Sequence, residues 1–177
     1  MTLTGFKRSN GRWGFRNHVL ILPLHQMLSV IARDIELTAP GSVAVSHDWA
    51  QLPEKDQDRI LHTLSGVPAN PNLFVTIALR LGTPIEDQII AMAKAKGATN
   101  IIEVSLANEK TFNQLRDTTT KLALEQLALA KEQPRTSAPL SAIVLGLECG
   151  GSDAYSGITA NPALGVASDK LVDQGAT

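Results

Sequence analysis

One stretch near the end of the chain, ECGGSDAYSGITANPALG, concentrates residue types that bind or transform small molecules. Its thiol, Cys149, is followed by Gly150 and Gly151, which allow a close ligand approach that a Cβ would obstruct. Ser152 and Asp153 add a hydroxyl and a carboxylate to the same turn. The stretch lacks both the Walker A ending and the Gly-x-Gly-x-x-Gly pattern, so no motif indicates nucleotide binding. It is either a substrate-binding or catalytic loop, or a turn between a strand and a helix.

Structural interpretations compete with chemical ones at several of these positions. A lone cysteine such as Cys149 is commonly an inert small hydrophobe, and Asp153 can simply cap a short turn. Asn161 followed by Pro162 is a typical helix start, with an N-cap and then a proline at the first helical position. Residue types alone therefore leave both interpretations open.

Other candidate groups lie far from this stretch in the sequence. A cationic cluster near the N-terminus is typical of a solvated face, although guanidinium groups beside glycines also bind carboxylates. Its members are Lys7, Arg8, Arg12 and Arg16. His47 ends a predicted strand and is expected to face the same cleft as the loop, whereas His62 is interpreted as a surface or packing residue within a helix.

Composition narrows the class of protein. With 177 residues, 44% hydrophobic content and a formal charge of -1, the chain has the size and balance of one globular domain. The small net charge does not indicate a basic surface for nucleic acid or for a membrane, which favours small-molecule partners. One cysteine cannot form an internal disulfide, and no stretch has the length of a signal-peptide core or a membrane span. These features predict a soluble, cytoplasmic protein.

Apolar runs alternate with helical segments along the chain. The predicted strands are HVLILPL (18–24), SVAVSH (42–47), LFVTIAL (73–79), NIIEVSL (100–106) and SAIVLGL (141–147). The predicted helices are 26–37, 54–65, 84–96, 109–131 and 162–173. Nearly continuous Val, Ile and Leu is typical of parallel strands covered on both faces. The pattern predicts a single α/β domain over residues 1–177, with an open, mostly parallel five-stranded sheet and helices on both faces, in a Rossmann-like or flavodoxin-like three-layer arrangement.

Two local signals position particular elements. The third predicted helix has the clearest start, because Thr83 can cap it, Pro84 suits its first position and Glu86 can complete a capping box. Gly97 supplies its end. In open α/β sheets, ligands bind beyond the carboxyl ends of the strands, and the last predicted strand leads directly into Cys149. The loop is therefore expected at that edge of the sheet.

Two segments of the chain resemble a known enzyme family. They are GFKRSNGRWGFRNHVLILP near the start and GLECGGSDAYSGITANPALGVASDKLVDQGAT at the end. Together they are similar to the altronate dehydratase and galactarate dehydratase family of sugar-acid hydro-lyases, which also includes a sulfolactate sulfo-lyase subunit. Asn70, Pro71 and Asn72, before the third predicted strand, agree with this resemblance. It implies that the chain is the N-terminal or central part of a longer lyase.

The resemblance implies elimination of water next to a carboxylate. A base removes the proton α to the carboxylate, a divalent metal, Fe²⁺ or Mn²⁺, stabilises the developing enediolate, and the β-hydroxyl leaves, giving a 2-keto-3-deoxy acid. Such a proton is too weakly acidic to be lost at neutral pH without stabilisation of the extra charge. The implied partners are a sugar acid or related hydroxy acid, together with a homo-oligomer or the remaining lyase domains.

Carried onto this sequence, the resemblance implies two sets of site residues. The catalytic candidates are Cys149, Asp153 and His47, of which Cys149 and His47 are also the candidate metal ligands. The substrate-binding candidates are Arg16, Asn17, Gly150, Gly151, Ser152, Ser156 and Asn161. The carboxylate is expected at the backbone N–H groups of residues 150–152 and at the Arg16 guanidinium.

The sequence departs from the family at the family's other cysteines. These follow the first three strands, where this chain reads LPLHQM, SHDWAQ and ALRLGT, so only Cys149 remains. Three functions therefore stay open. They are a lyase acting on a sugar acid or a hydroxy-sulfonate, a non-catalytic carboxylate-binding or regulatory domain, and a structural or subunit-association domain.

Overall fold

The computed structural model of the chain describes residues 3–47, 54–148, 150–151 and 153–177. Its strands, numbered in chain order, are β1 (Thr4–Lys7), β2 (Trp13–Gly14), β3 (His18–Pro23), β4 (Ser42–Ala44), β5 (Leu73–Arg80), β6 (Ile101–Ser105) and β7 (Thr136–Ser137). Its α-helices are α1 (Ser29–Thr38), α2 (Glu54–Gly66), α3 (Pro84–Ala95), α4 (Leu106–Glu109), α5 (Phe112–Glu132), α6 (Ala154–Ile158) and α7 (Ala160–Val172). Within these residues, no helix is long and apolar enough to cross a membrane.

The first four predicted runs form one parallel sheet, in the order β4-β3-β5-β6. In the central strand β3, the side chains of Val19, Leu20, Ile21 and Leu22 are at most 2% exposed. A strand covered on both faces needs this continuous apolar sequence. The prediction of buried parallel strands is therefore confirmed for these four runs.

Helices cover both faces of the parallel sheet. One buried cluster joins Val19 and Ile21 of β3 to residues of α1 and α5. A second joins Leu20 and Leu22 of β3 to residues of α2 and α3. Because successive side chains of a strand point to opposite faces, β3 contributes to both clusters and the sheet is the middle of three layers.

The start of α3 confirms the predicted role of Glu86. This residue is fully buried, and its carboxylate accepts hydrogen bonds from the backbone N–H groups of Leu81, Gly82 and Thr83 at 2.9, 2.8 and 2.9 Å. Gly97 follows α3 with a φ of 92°, the left-handed conformation that ends many helices. The carboxylate thus fixes the loop between β5 and α3, and the glycine ends the helix as predicted.

The helix predicted over 109–131 is interrupted near its start. α4 ends at Glu109, and Lys110 takes the left-handed conformation with a φ of 68°. Thr111 then caps α5, since its side chain accepts the backbone N–H of Gln114 at 3.2 Å. The capping threonine starts a new helix here, which the apolar periodicity alone did not indicate.

The fifth predicted strand, 141–147, does not join the parallel sheet. A 3-10 turn occupies Leu140–Ala142, and Ile143 after it is extended. The backbone N–H of Leu145 donates to the Thr177 carbonyl at 2.7 Å, and the N–H of Thr177 donates to the Ile143 carbonyl at 3.0 Å. These two bonds follow the pattern of a parallel pair. The run therefore pairs with residue 177 rather than with β6, and the predicted five-stranded, Rossmann-like sheet is corrected to four strands in the described residues.

A small antiparallel sheet, in the order β2-β1-β7, was not predicted. Its strands have only two to four residues, too few to give a recognisable alternation. The sheet lies at the amino end of the parallel sheet, where the His18 N–H donates to the Asn72 carbonyl at 3.0 Å. Gly14 of β2 is required there, because a Cβ would lie 2.0 Å from the Pro71 carbonyl oxygen.

Arg8 holds the small sheet on the parallel one. Its half-buried guanidinium donates to the Pro71 carbonyl at 2.8 Å, the Asn17 Oδ1 at 2.8 Å, the Arg16 carbonyl at 3.1 Å and the Gln133 Oε1 at 3.3 Å. All four acceptors are uncharged, and burial lowers the pKa of Arg8. The expectation of a solvated cationic face is therefore wrong at this residue.

Replacing Arg8 tests this connection. We expect Arg8→Lys to lower the free energy of unfolding by about 2 kcal/mol, because an ammonium cannot reach four separate acceptors and leaves part-buried oxygens unpaired. Urea unfolding followed by circular dichroism measures the change. Arg33→Lys is the matched control, since Arg33 is exposed and has one ion pair, to Glu36 at 2.7 Å. Equal losses of stability in both variants would contradict the assignment.

Candidate functional site

The glycines of the predicted loop are not required by the fold around them. Gly150 and Gly151 are exposed, and a Cβ at either would meet nothing within 4 Å among the described residues. Gly14, by contrast, is enclosed by backbone. Cys149 and Ser152 lie outside the described residues. The conformation of the neighbouring backbone thus leaves Gly150 and Gly151 accessible from solvent.

Asp153 organises the turn that follows these glycines. Its Oδ1 accepts the backbone N–H groups of Tyr155 and Ser156 at 2.9 and 2.8 Å, which caps α6. The Ser156 hydroxyl donates in return to the Asp153 carbonyl at 3.0 Å. The hydrogen bond from the Ser156 backbone, above all, holds the pKa of Asp153 below its usual value. The capping interpretation of Asp153 is therefore confirmed, and a carboxylate of low pKa is a weak general base.

Asn161 is not the helix cap that the sequence predicted. α7 begins at Ala160 with Thr159 as its N-cap, so Asn161 is the second helical residue and is exposed. The Thr159 hydroxyl donates to the Tyr155 carbonyl at 2.7 Å at the end of α6. Because α6 leads almost directly into α7, the helix starts earlier, and Pro162 occupies its third position, where no N–H is needed.

His47 lies at the carboxyl edge of the parallel sheet. Its Nε2 is 2.7 Å from the Pro23 carbonyl oxygen, and its own carbonyl accepts the Ser29 hydroxyl at 3.1 Å. A carbonyl can only accept, so Nε2 carries the hydrogen and is not available to a metal in this arrangement. The histidine thus connects the ends of β3 and β4.

Arg16 and Asn17 lie at the opposite, amino edge. Both polar atoms of the Asn17 amide form hydrogen bonds within the protein. Its Oδ1 accepts from Arg8 at 2.8 Å, and its Nδ2 donates to the Ala130 carbonyl at 2.8 Å. Arg16 is exposed, and its guanidinium makes no hydrogen bond to any residue that the structure describes. Of the two, Arg16 alone presents its side-chain donors to solvent.

The structure does not bring all the predicted site residues together. Arg16 precedes β3, whereas His47 contacts its last residue, and six strand residues separate the two by roughly 20 Å. Val144, five residues before Cys149, lines a cleft at the amino edge together with Arg12 and Asn72. The stem of the loop thus passes the amino edge, on the side of Arg16, instead of the predicted carboxyl edge of the parallel sheet.

Sequence reasoning missed part of this amino-edge cleft, which has a volume of about 500 Å³. Its polar lining residues are Arg12, Asn70, Asn72 and Lys96. The cationic cluster includes Arg12, and the Asn-Pro-Asn segment includes Asn70 and Asn72, so the sequence had identified these three. Lys96 gave no signal, because it simply follows the last turn of α3.

Two family models match consecutive parts of the chain. Residues 5–131 match the model described as D-galactarate dehydratase/Altronate hydrolase, second domain, and residues 140–177 match D-galactarate/Altronate dehydratase, C-terminal. The chain belongs to the galactarate and altronate dehydratase family. The predicted resemblance is thereby confirmed.

Individual relatives agree with the family models. The (2R)-sulfolactate sulfo-lyase subunit beta of Chromohalobacter salexigens is 30% identical over 177 residues, covering 99% of this chain and 45% of the relative. The altronate dehydratase of Bacillus subtilis is 32% identical over 186 residues, covering 98% and 37%. The galactarate dehydratase (L-threo-forming) of Escherichia coli is 46% identical over 76 residues, covering 42% and 14%. The chain thus spans less than half the length of these members of the dehydratase family.

The segment between the two matched parts is folded onto the first of them. β7 lies in this segment, and it pairs with β1 through Thr4 opposite Ser137 and Gly5 opposite Thr136. The loop at Gly150 lies in the part that matches the dehydratase C-terminal model, whereas Arg16 lies in the part that matches the second domain. A site that uses both would therefore lie between the two family parts.

The divalent metal implied by the family resemblance stays a prediction. Among them, no group of three or more His, Cys, Asp or Glu side chains could hold a metal ion. His47 Nε2 is hydrogen-bonded and Asp153 caps α6. Cys149 lies outside the described residues, so its role in metal binding stays a prediction and no reaction step is routed through a metal.

The titration of Asp153 tests its role in the turn. The two backbone N–H groups bind the ionised form, so we expect its ¹³C carboxyl resonance to titrate below the usual value of 3.8. Because the folded-state pKa is the lower one, the cap stabilises the loop fully above the unfolded-state pKa and loses this effect as the pH falls through the folded-state value. An unfolded peptide of the same local sequence is the control. A midpoint equal to that of the peptide would argue against the cap.

Proposed function

We propose that this chain is part of a hydro-lyase that acts on a sugar acid such as altronate or galactarate. The enzyme removes water from the acid and yields a 2-keto-3-deoxy acid. Membership of the family supports this proposal, as do the relatives from two bacteria that are named altronate dehydratase. The observation that carries it is the exposed backbone of Gly150 and Gly151 beside the Asp153 cap, in a loop whose folding does not require glycine.

Recognition of the substrate carboxylate is assigned to this loop and to Arg16. Backbone N–H groups of residues 150–152 donate to the carboxylate oxygens, and the exposed Arg16 guanidinium adds a charge-assisted bond. As the α-proton leaves, negative charge moves onto the carboxylate and these bonds become stronger. The same donors therefore bind the acid and stabilise the charge that develops in the transition state.

The elimination transfers one proton to the enzyme and releases one water. A base takes the proton from the carbon next to the carboxylate, the C–H electron pair forms the C=C bond, and the β-hydroxyl leaves as water after it takes up a proton from the protonated base or from solvent. The enol then becomes the keto acid. Asp153 is a weak candidate for the base because its pKa is held low, and His47 lies at the opposite edge of the sheet from Arg16, so we assign this step to Cys149.

A sulfo-lyase reaction is the second candidate. The relative named (2R)-sulfolactate sulfo-lyase subunit beta is similar over 99% of this chain, which favours it. Sulfolactate has a carboxylate as well as a sulfonate, so the same donors would recognise it. A third candidate, a carboxylate-binding or regulatory domain without turnover, is supported by the absence of the family's other cysteines.

Product analysis separates these candidates. We expect the complete gene product, with or without added Fe²⁺ or Mn²⁺, to convert altronate or galactarate to a keto acid, detected with a carbonyl reagent. Cys149→Ser tests the base, because its removal should lower kcat by about 10²- to 10⁴-fold, whereas His47→Gln, at the opposite edge of the sheet, should change kcat much less. Asp153→Asn keeps the capping oxygen and should remain active.

Other results of this experiment favour the alternatives. Release of sulfite from sulfolactate, with no product from sugar acids, would indicate the sulfo-lyase. Thermal stabilisation by sugar acids without any product would indicate the binding domain.

Gly150 distinguishes a binding loop from a structural turn. Gly150→Ala should leave the melting temperature unchanged, since the added methyl meets no described neighbour, but should raise KM at least about tenfold by obstructing the carboxylate. Gly14→Ala is the matched control and should unfold the chain at a lower temperature. Unchanged kinetics in the Gly150 variant would show that the loop does not contact the substrate.

A further inference from the structure

The described residues that line the amino-edge cleft include several hydrogen-bond donors, two of them cationic, and no acidic side chain. Arg12 comes from the β1–β2 hairpin, Asn70 and Asn72 from the turn before β5, and Lys96 from the end of α3. Among the residues described, its lining contains no Asp or Glu. Val144 closes one side of the cleft, so the cleft lies between the two parts of the chain that match separate family models.

The two asparagine amides of the cleft have a fixed orientation. The Asn70 Oδ1 accepts the Asn72 backbone N–H at 2.9 Å. The Asn72 Oδ1 accepts the backbone N–H groups of Phe15 and Arg16 at 2.7 and 3.0 Å. Because both oxygens bind N–H donors, the amide assignment is determined, and neither Nδ2 bonds to a described residue. Each side chain therefore keeps an NH₂ group for another acceptor.

The two cations of the cleft bind only uncharged acceptors. Arg12 donates to the Ala69 carbonyl at 2.7 Å, and the Lys96 Nζ donates to the His62 carbonyl at 2.6 Å and the Ser65 hydroxyl at 2.8 Å. Neither forms an ion pair with an acidic side chain in the described parts of the chain. Each of these acceptors is an uncharged oxygen, so no acidic group offsets the positive charge of Arg12 or of Lys96 in the described residues.

We propose that the amino-edge cleft binds an oxyanion, namely a small-molecule carboxylate. A planar guanidinium, an ammonium and two oriented NH₂ groups are the donors that a carboxylate requires, and the lining contributes no charge that would repel it. The four donors come from three separate segments, so the fold assembles them. This binding does not depend on catalysis by the loop at Gly150, and it does not rest on the proposed function.

Nuclear magnetic resonance of the 177-residue chain tests this proposal. We expect the side-chain NH₂ resonances of Asn70 and Asn72 to shift saturably with millimolar gluconate, and not with sorbitol, which lacks the carboxylate. Sulfate that displaces gluconate from the same resonances would extend the site to oxyanions in general. Absence of any shift up to about 50 mM gluconate, or an equal response to sorbitol, would overturn the proposal.

One isosteric variant separates binding from folding. Asn70→Asp keeps the oxygen that accepts the Asn72 N–H but replaces the NH₂ with a carboxylate oxygen, so gluconate should bind at least about tenfold more weakly. Asn113→Asp makes the same chemical change at the exposed start of α5 and should bind as the wild type does. Lys96→Gln is a second test if Asn70→Asp melts at a lower temperature. Wild-type affinity in both cleft variants would overturn the proposal.

Discussion

The arrangement of the amino edge depends on one side chain, the half-buried guanidinium of Arg8. It connects β1 to the turn before β5 and to the end of α5, using only neutral oxygen atoms. Arg80 illustrates the other way to place an arginine, since Asp87 and Glu103 surround it and raise its pKa despite desolvation. Burial instead lowers the pKa of Arg8, so planar geometry rather than ion pairing holds this junction together. Both Arg12 and Arg16 are positioned by the segment that Arg8 fixes.

The parallel sheet was predictable because strands that are buried on both faces have nearly continuous apolar sequences. β3 and β5 are continuous apolar runs, and no polar alternation competes with that signal. The small antiparallel sheet left no such pattern in the sequence, since its pairing rests on β1 and β7, which start 132 residues apart. Its stability comes from side chains such as Arg8 that look like surface cations in sequence. Composition and periodicity cannot distinguish such a residue from a solvated one.

The sequence indicated which residue types could form the candidate site, but not at which edge of the sheet each of them lies. Asp153 was expected either to react or to cap, and the hydrogen bonds of α6 confirm the cap, while its part in the reaction stays a prediction. Arg16 was identified through a family motif, and its exposed side chain agrees with a binding role. His47 was placed with the loop because both were expected at strand ends, but the ends of a parallel sheet form two separate edges. Sequence gives the order of strands along the chain and not which sheet each strand joins.

The fifth apolar run shows the same limit and explains the position of the loop. Ile143 and Leu145 bond to Thr177 in a parallel register, and α6 and α7 lie between the two segments in sequence. The two bonds form one parallel bridge between the run and residue 177. The exposure of Val144, 78%, and of Leu147, 55%, follows, because this pair does not lie against the helices that cover the parallel sheet. Gly150 follows this run, which does not join the four-stranded sheet, so the rule that ligands bind beyond the strands of an open sheet does not place this loop.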